Sequence, residues 1–181
     1  VEARIEQTPH GTRPTGEGWY VLNVREAAWK ESDAFGRWLN LEGDVRWPQL
    51  AMNVHVLEPG KPACMYHGEN IQEAFLVLAG ECILIVEGRE QRLRQHDFVH
   101  CPAWVDHVFV GAEAPCAVLM IGARPDDEVN YPVDPVAARH GASVPVATPD
   151  PTVAYAPFAA PTDSRYRTGD LGESASPSVI A

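Results

Sequence analysis

The sequence has no apolar run near the roughly 18 residues needed to cross a bilayer. Positive charge is scarce: 14 Lys and Arg face 25 Asp and Glu, a net charge of −11. That excess repels phosphate backbones, so it argues against nucleic acid and anionic membranes as partners. Cysteine is sparse too. Cys64, Cys82, Cys101 and Cys116 show no C-x2-C spacing, which leaves a zinc knuckle and a disulfide framework without support and predicts reduced, mostly buried thiols. The opening VEARIEQTPHGTRP is polar with no apolar h-region, and a cytoplasmic chain is expected. At 45% hydrophobic residues, wholesale disorder is excluded, and 181 residues fit one domain with an appended segment.

Short strand-like runs dominate the middle of the chain. They cover 50–57, 63–68, 73–79, 81–86, 90–94, 98–101, 107–111 and 115–122, and the breaks carry Pro59-Gly60, Gly68-Glu69-Asn70, Gly80, Gly88, His96-Asp97, Pro102 and Gly111. About eight short strands at such spacing predict an all-β jelly roll whose two sheets enclose a cavity. Three parts are expected: an N-terminal arm and packing segment at 1–48, a β-barrel at 49–124, and a Pro-rich C-terminal extension at 125–181. Within the first part, 1–18 reads as an arm, Trp19–Val24 as a strand, and Glu26–Leu39 as a short helix or irregular structure. Cys82–Val86 is apolar on both faces, so its outer face needs cover from a second subunit or from the terminal arms. In the extension, Asp134 as N-cap, Pro135 at the first helical position and Gly141 as terminator predict a short helix near 134–140. Prolines 145, 149, 151, 157, 161 and 177 follow; Tyr155 and Phe158 are the residues that could anchor this tail to the barrel.

The chemistry concentrates between Gly60 and His107. His67 and Glu69 are two apart and share one face of a strand. Glu73 follows after a turn-like Gly68-Glu69-Asn70, and His107 comes from a later strand beyond Pro102. Imidazole and carboxylate are good ligands for first-row metals, and a cavity between sheets lets separate strands converge on one ion.

These landmarks resemble the cupin family. Its first motif is G-x5-H-x-H-x3,4-E-x6-G; this chain offers Gly60, His67, Glu69, Glu73 and Gly80, with Gly60 one residue too far from His67. Its second motif is G-x5-P-x-G-x2-H-x3-N; here Pro102 and His107 match, while His96, Trp104 and Gly111 stand in the slots of the two glycines and the Asn. A shifted alignment would put Tyr66 and Gly68 in the two His slots. The alignment that keeps His67 is preferred, because it sets an oxygen donor, Glu69, where a ligand is wanted. The resemblance covers roughly residues 50–123. It implies a double-stranded β-helix with a divalent metal held by His67, Glu69, Glu73 and His107. Two imidazoles and two carboxylates around a divalent ion sum to about zero charge, which favours Mn, Fe or Zn over copper(I).

Blander readings compete at each position. His67 could be an ordinary strand-end histidine, Glu69 a solvated turn residue and Glu73 an exposed edge carboxylate, whereas an unpaired buried His107 would be costly. Tyr66 alternates to the other face and reads as core. Cys101 and His100 alternate, so one of them points inward, and a buried structural thiol is the better reading of Cys101. Phe75, Val77 and Phe109 should wall the cavity with apolar surface. His96 and His140 read as surface residues.

The resemblance implies a metal-dependent dioxygenase or isomerase acting on a small organic molecule inside the barrel. The alternative is a non-catalytic cupin that binds a small ligand as a sensor or store. No helix-turn-helix motif is visible, and Lys61 and Arg89 sit at loops instead of beside the ligand segments, which disfavours sugar phosphates. No catalytic residue is assigned. A homodimer is expected from the doubly apolar strand and the long arms.

Overall fold

A computed structural model describes residues 1–124 and 128–172; the last stretch of the expected C-terminal extension, with Pro177, lies outside the described residues. The chain is all-β, and its strands pair antiparallel. β1 (Arg4–Thr8) and β2 (Gly11–Thr15) form a hairpin. A seven-stranded sheet follows the spatial order β10 (Phe98–Cys101), β7 (Glu73–Ala79), β12 (Cys116–Ala123), β5 (Leu50–Leu57), β4 (Gly36–Asn40), β3 (Ala28–Ser32), β14 (Thr162–Arg165). The facing sheet is β11 (His107–Gly111), β8 (Glu81–Val86) and β9 (Arg89–Arg94). Residues 59–67 run beside β11 through isolated bridges, Pro59 to Gly111, Pro62 to Val110 and His67 to His107. β6 (Gly68–Glu69) then pairs with β13 (Val129–Asn130).

Leu57, Phe75, Val77 and Val118 from the large sheet interdigitate with Leu84, Leu93 and Phe109 from the small one. This is the double-stranded β-helix expected from the strand pattern. Other segments of the chain pack on both outer faces. Ala27, Trp29, Leu22, Val24 and Tyr166 pack on the back of the large sheet. The extension turns at α1 (Pro135–Ala138), capped by Asp134 through its carboxylate to the Val136 and Ala137 amides. Ala137 and Ala142 then pack against Tyr66, Ile85, Val108 and Val110. The C-terminal arm thus packs on the second apolar face of 82–86, burying Ile85 and leaving Ile83 half-buried.

The N-terminal third corrects three expectations. Residues 1–18 hold the β1–β2 hairpin instead of a loose arm. Glu26–Leu39, read as helical or irregular, contains β3 and β4. Trp19–Val24 is not a strand: Trp19 makes one bridge, to Glu2, and Val24 spends its carbonyl on Trp29 Nε1 at 2.9 Å. Position 36, between β3 and β4, requires glycine: φ is +75°, and a Cβ would meet the Val56 carbonyl oxygen at 2.5 Å. Arg37, buried on the outer face of β4, forms a bidentate pair with Asp170 at 2.6 and 2.5 Å and ties the C-terminal segment to the sheet. A second one-turn helix, α2 (Pro151–Ala154), leads Tyr155 and Phe158 onto Phe35, with ring centroids 5.5 and 4.7 Å away. No helix among the described residues is long and apolar enough to span a membrane.

Candidate metal site

One end of a cavity of about 1020 Å³ is lined by His67, Glu69, Glu73 and His107. His107 opens β11, Glu73 opens β7, and His67 is held opposite His107 by the bridge described above. Ligand atoms of His67, Glu73 and His107 all lie within 4.8 Å of one another. His107 Nε2 is 3.4 Å from Glu73 Oε2, and His67 Nε2 is 3.7 Å from Glu69 Oε1. Ligands at roughly 2.0–2.2 Å from one ion sit roughly 3–3.5 Å apart, so an ion would draw this group together by small side-chain movements.

Both imidazoles are oriented by backbone carbonyls. His67 Nδ1 donates to Met65 O at 2.7 Å, and His107 Nδ1 donates to Val105 O at 2.9 Å. A carbonyl can only accept, so in each ring Nδ1 carries the proton and Nε2 is turned toward the carboxylates, the arrangement seen in metal-ligating histidines. Burial, and then the neighbouring His67, lowers the His107 pKa to about 4. Burial, and then Glu69, raises the Glu73 pKa to about 8. The 3.4 Å contact is therefore one between a neutral imidazole and a desolvated carboxyl group, not an ion pair. A buried carboxyl group with two imidazole Nε2 atoms nearby and no cation is a donor set suited to a divalent ion.

Local structure explains the spacing. Gly68 lets the strand pass Asp106, whose Oδ1 a Cβ there would crowd. Glu69 is not in a solvated turn: it pairs with Val129, and its carbonyl accepts from the Trp104 amide at 2.6 Å. Trp104 and His96, the residues in the two glycine slots of the second motif, have φ of +65° and +75°. The chain thus keeps the left-handed turns that glycine would adopt without strain. Tyr66 is a core residue whose hydroxyl accepts from the Gly88 amide. Cys101 points into the core between the sheets, and His96 and His100 are exposed. His140 contacts Glu90 at 2.9 Å and is only partly exposed. All four cysteines are free thiols.

The opposite wall of the cavity was not singled out from the sequence. Trp38 of β4 stacks on His55 of β5, with centroids 5.8 Å apart and planes at 28°. His55 Nε2 donates to Phe35 O at 2.6 Å. Asn53, between Ala51 and His55 on the inner face of β5, also lines the cavity, as do Tyr155 and Phe158 from the extension. The readable signal was the inner-face period of Asn53 and His55 against Val54 and Val56, polar residues at alternate positions of an otherwise apolar strand. Toward the mouth, Arg124 makes a bidentate pair with Glu42 at 2.9 and 2.7 Å. The lining carries Glu42, Asp44, Glu69, Glu73 and Glu128 against Arg46 and Arg124.

A family model for the cupin domain matches residues 53–122. Among solved structures, a protein of Acidithiobacillus ferrooxidans described as a sugar phosphate isomerase is similar at 29% identity and a TM-score of 0.47, over 53% of this chain and 65% of its own. A sugar phosphate isomerase of Silicibacter pomeroyi is similar at 26% identity and a TM-score of 0.47, over 51% of this chain and 62% of its own. A DMSP lyase of Ruegeria pomeroyi shows 26% identity and a TM-score of 0.43, over 49% and 46%. The matches thus span less than two thirds of the length of each of these structures. No curated protein matches the chain. Residues 53–122, the stretch that matches the cupin domain, build the double-stranded β-helix described above.

Proposed function

We propose that His67, Glu73 and His107, with Glu69 beside them, hold a divalent ion, iron or manganese, and that the domain is a metal-dependent dioxygenase acting on a small organic molecule in the cavity. The observation that carries this reading is the orientation of the two imidazoles: each Nδ1 is spent on a backbone carbonyl, and each Nε2 faces the carboxylates in a cavity wide enough for a substrate. Two imidazoles and one carboxylate on one side of an ion leave open positions, as in non-haem iron(II) oxygenases. When bound, the ion supplies those positions to substrate and O₂. The chain does the rest: Met65 and Val105 fix the rings, Glu73 offers the charge, and Phe75 against Phe109, with centroids 4.7 Å apart, provides a dry wall.

The test is metal analysis of the purified protein, followed by anaerobic loading with Fe(II) and exposure to nitric oxide, which occupies the O₂ position. The expected result is stoichiometric iron or manganese and a high-spin EPR signal of the iron–nitrosyl type that His107→Ala abolishes. Protein that refuses both metals at tens of micromolar would sink the reading. Bound iron without the nitrosyl signal would remove the dioxygenase and leave the metal site.

A further inference from the structure

The back of the large sheet is apolar, and the chain's own segments pack on only part of it. Outward-facing residues in register form two rows across β10, β7, β12 and β5: Phe98, Leu76 and Leu119 in the first, Ala74, Ile121 and Met52 in the second, with His100 at its edge. Neither row holds an Asp, Glu, Lys or Arg, in a chain of net charge −11. Leu22, Val24 and Tyr166 pack at the β3–β4 end of the face, with Leu39 and Val54. Ala74, Leu76, Ile121 and Met52 are half-buried and have no place in the apolar clusters that other segments build with the sheets. Phe98, on the edge strand β10, is 65% exposed. The segment that covers the β4 end is itself apolar on its free side: Trp19 is 60% and Val21 84% exposed. Tyr20, between them, donates its hydroxyl to the Leu41 carbonyl, and the Leu41 amide donates to Met52. A bare apolar face thus has Phe98 at one margin and a ridge carrying Trp19 and Val21 at the other.

We propose that this face is the interface of a homodimer, in which the bare rows of two copies pack on each other about a twofold axis near β12 and residues 19–24 of each copy lie along the β10 edge of the other, Val21 and Trp19 against Phe98. Twofold symmetry requires a self-complementary patch, and a ridge at one margin with an open edge at the other interlocks with the same pair in reverse order. Uncharged rows let two acidic chains meet without opposing like charges. The area suffices. Four strands about 4.8 Å apart, with three outward positions about 6.7 Å apart on each, make a face of roughly 400 Å². The ridge, about 20 Å long and about 10 Å wide, adds roughly 200 Å². Two copies then bury about 1,200 Å², the lower end of what a stable, specific interface needs. The partner's ridge also shields β10, an edge strand that would otherwise be open to pairing.

The experiment is sedimentation of the full chain from low to hundreds of micromolar. A dimer with a micromolar dissociation constant is expected. Phe98→Lys and Val21→Glu should each weaken it at least about tenfold. Val146→Glu, at an apolar side chain 73% exposed on the C-terminal extension, should leave it unchanged. Mixing the Phe98→Lys and Val21→Glu chains should restore the dimer, because a mixed pair keeps one parental contact and sets the introduced lysine against the introduced glutamate. A parent that stays monomeric at hundreds of micromolar, with or without neutral phosphatidylcholine vesicles, would overturn the proposal. So would a dimer indifferent to both substitutions, one that Val146→Glu weakens as much, or a mixture that stays monomeric. Should a variant fail to fold, oxidative footprinting of the parent decides: Trp19, Met52 and Phe98 should lose reactivity as concentration rises, and constant reactivity would contradict the interface.

Discussion

His67 and His107 exchange both of their backbone hydrogen bonds. The His67 amide donates to the His107 carbonyl at 3.2 Å, and the His107 amide donates to the His67 carbonyl at 2.8 Å. Their rings lie 5.2 Å apart. An antiparallel pair of this kind points both side chains to the same face of the sheet. Two histidines far apart in sequence thus become neighbours by backbone pairing.

Glu73 and Glu69 should differ in weight. Glu73 lies in the group of mutually close ligand atoms, whereas Glu69, 3.7 Å from His67 Nε2, stands beside that group. Glu73→Gln should weaken iron or manganese binding by more than the roughly 10–100-fold typical of losing an outer partner, and Glu69→Gln by about tenfold at most. Competition titration with a metal-binding dye measures both. Equal losses would make the carboxylates equivalent ligands.

The same Glu73→Gln change should stabilise the metal-free protein. A carboxyl group whose folded pKa is raised to about 8 contributes full stability below its unfolded value near 4.5 and loses it as pH rises toward 8. At pH 7 the metal-free variant should exceed the parent by about 3 kcal/mol in urea unfolding, and the gap should close near pH 4.5. A constant gap across that range would mean that Glu73 is not held protonated.

His55 has the opposite sign. Burial lowers its pKa to about 4, so its stability contribution is complete above about pH 6.5 and disappears as pH falls through 4. The stability difference between the parent and His55→Gln should shrink by about 3 kcal/mol between pH 7 and pH 4. Parallel urea curves at the two pH values would contradict this.

Tyr155 should act on the metal site without touching it. Its hydroxyl accepts from the Met65 amide at 3.2 Å, and the Met65 carbonyl holds His67 Nδ1. Tyr155→Phe leaves that amide without its partner, at about 1 kcal/mol in stability, and should reduce metal affinity several-fold. Unchanged affinity would confine Tyr155 to packing against Phe35 and Tyr131.

Backbone strain makes a separate prediction. His96 is exposed and holds φ of +75°. His96→Gly should raise stability by about 0.5–1 kcal/mol, because the left-handed conformation costs about 1–2 kcal/mol for a residue with a Cβ. Thermal unfolding reads this directly, and a lower Tm would show that the imidazole makes an offsetting contact.

The barrel was legible because its strands are short, apolar and separated by turn residues: 50–57, 73–79, 81–86, 98–101 and 107–111 coincide with β5, β7, β8, β10 and β11. β3 and β4 were not, because their inward and outward residues mix types. Arg37 is buried in β4 against Asp170, 133 positions later, and no local pattern carries that pairing. The predicted strand at 63–68 runs along β11 by isolated bridges, since Ala63 and His67 bond to β11 while Tyr66, between them, donates its amide to the Ala142 carbonyl. His67, Glu73 and His107 could be found because motif spacing fixes strand faces. The Trp38, Asn53 and His55 wall could not, because its place in the cavity depends on β4 pairing with β5.

The metal site is tested most directly by metal content per chain in the parent, His107→Ala and Lys61→Ala, each purified in parallel and reloaded with iron or manganese. Lys61 is paired with Glu58 at 2.7 Å and lies outside the ligand group. About one ion per chain is expected in the parent and in Lys61→Ala, and a loss of most of it in His107→Ala while the fold is retained. Undiminished metal in His107→Ala, or none in the parent after reloading, would contradict it.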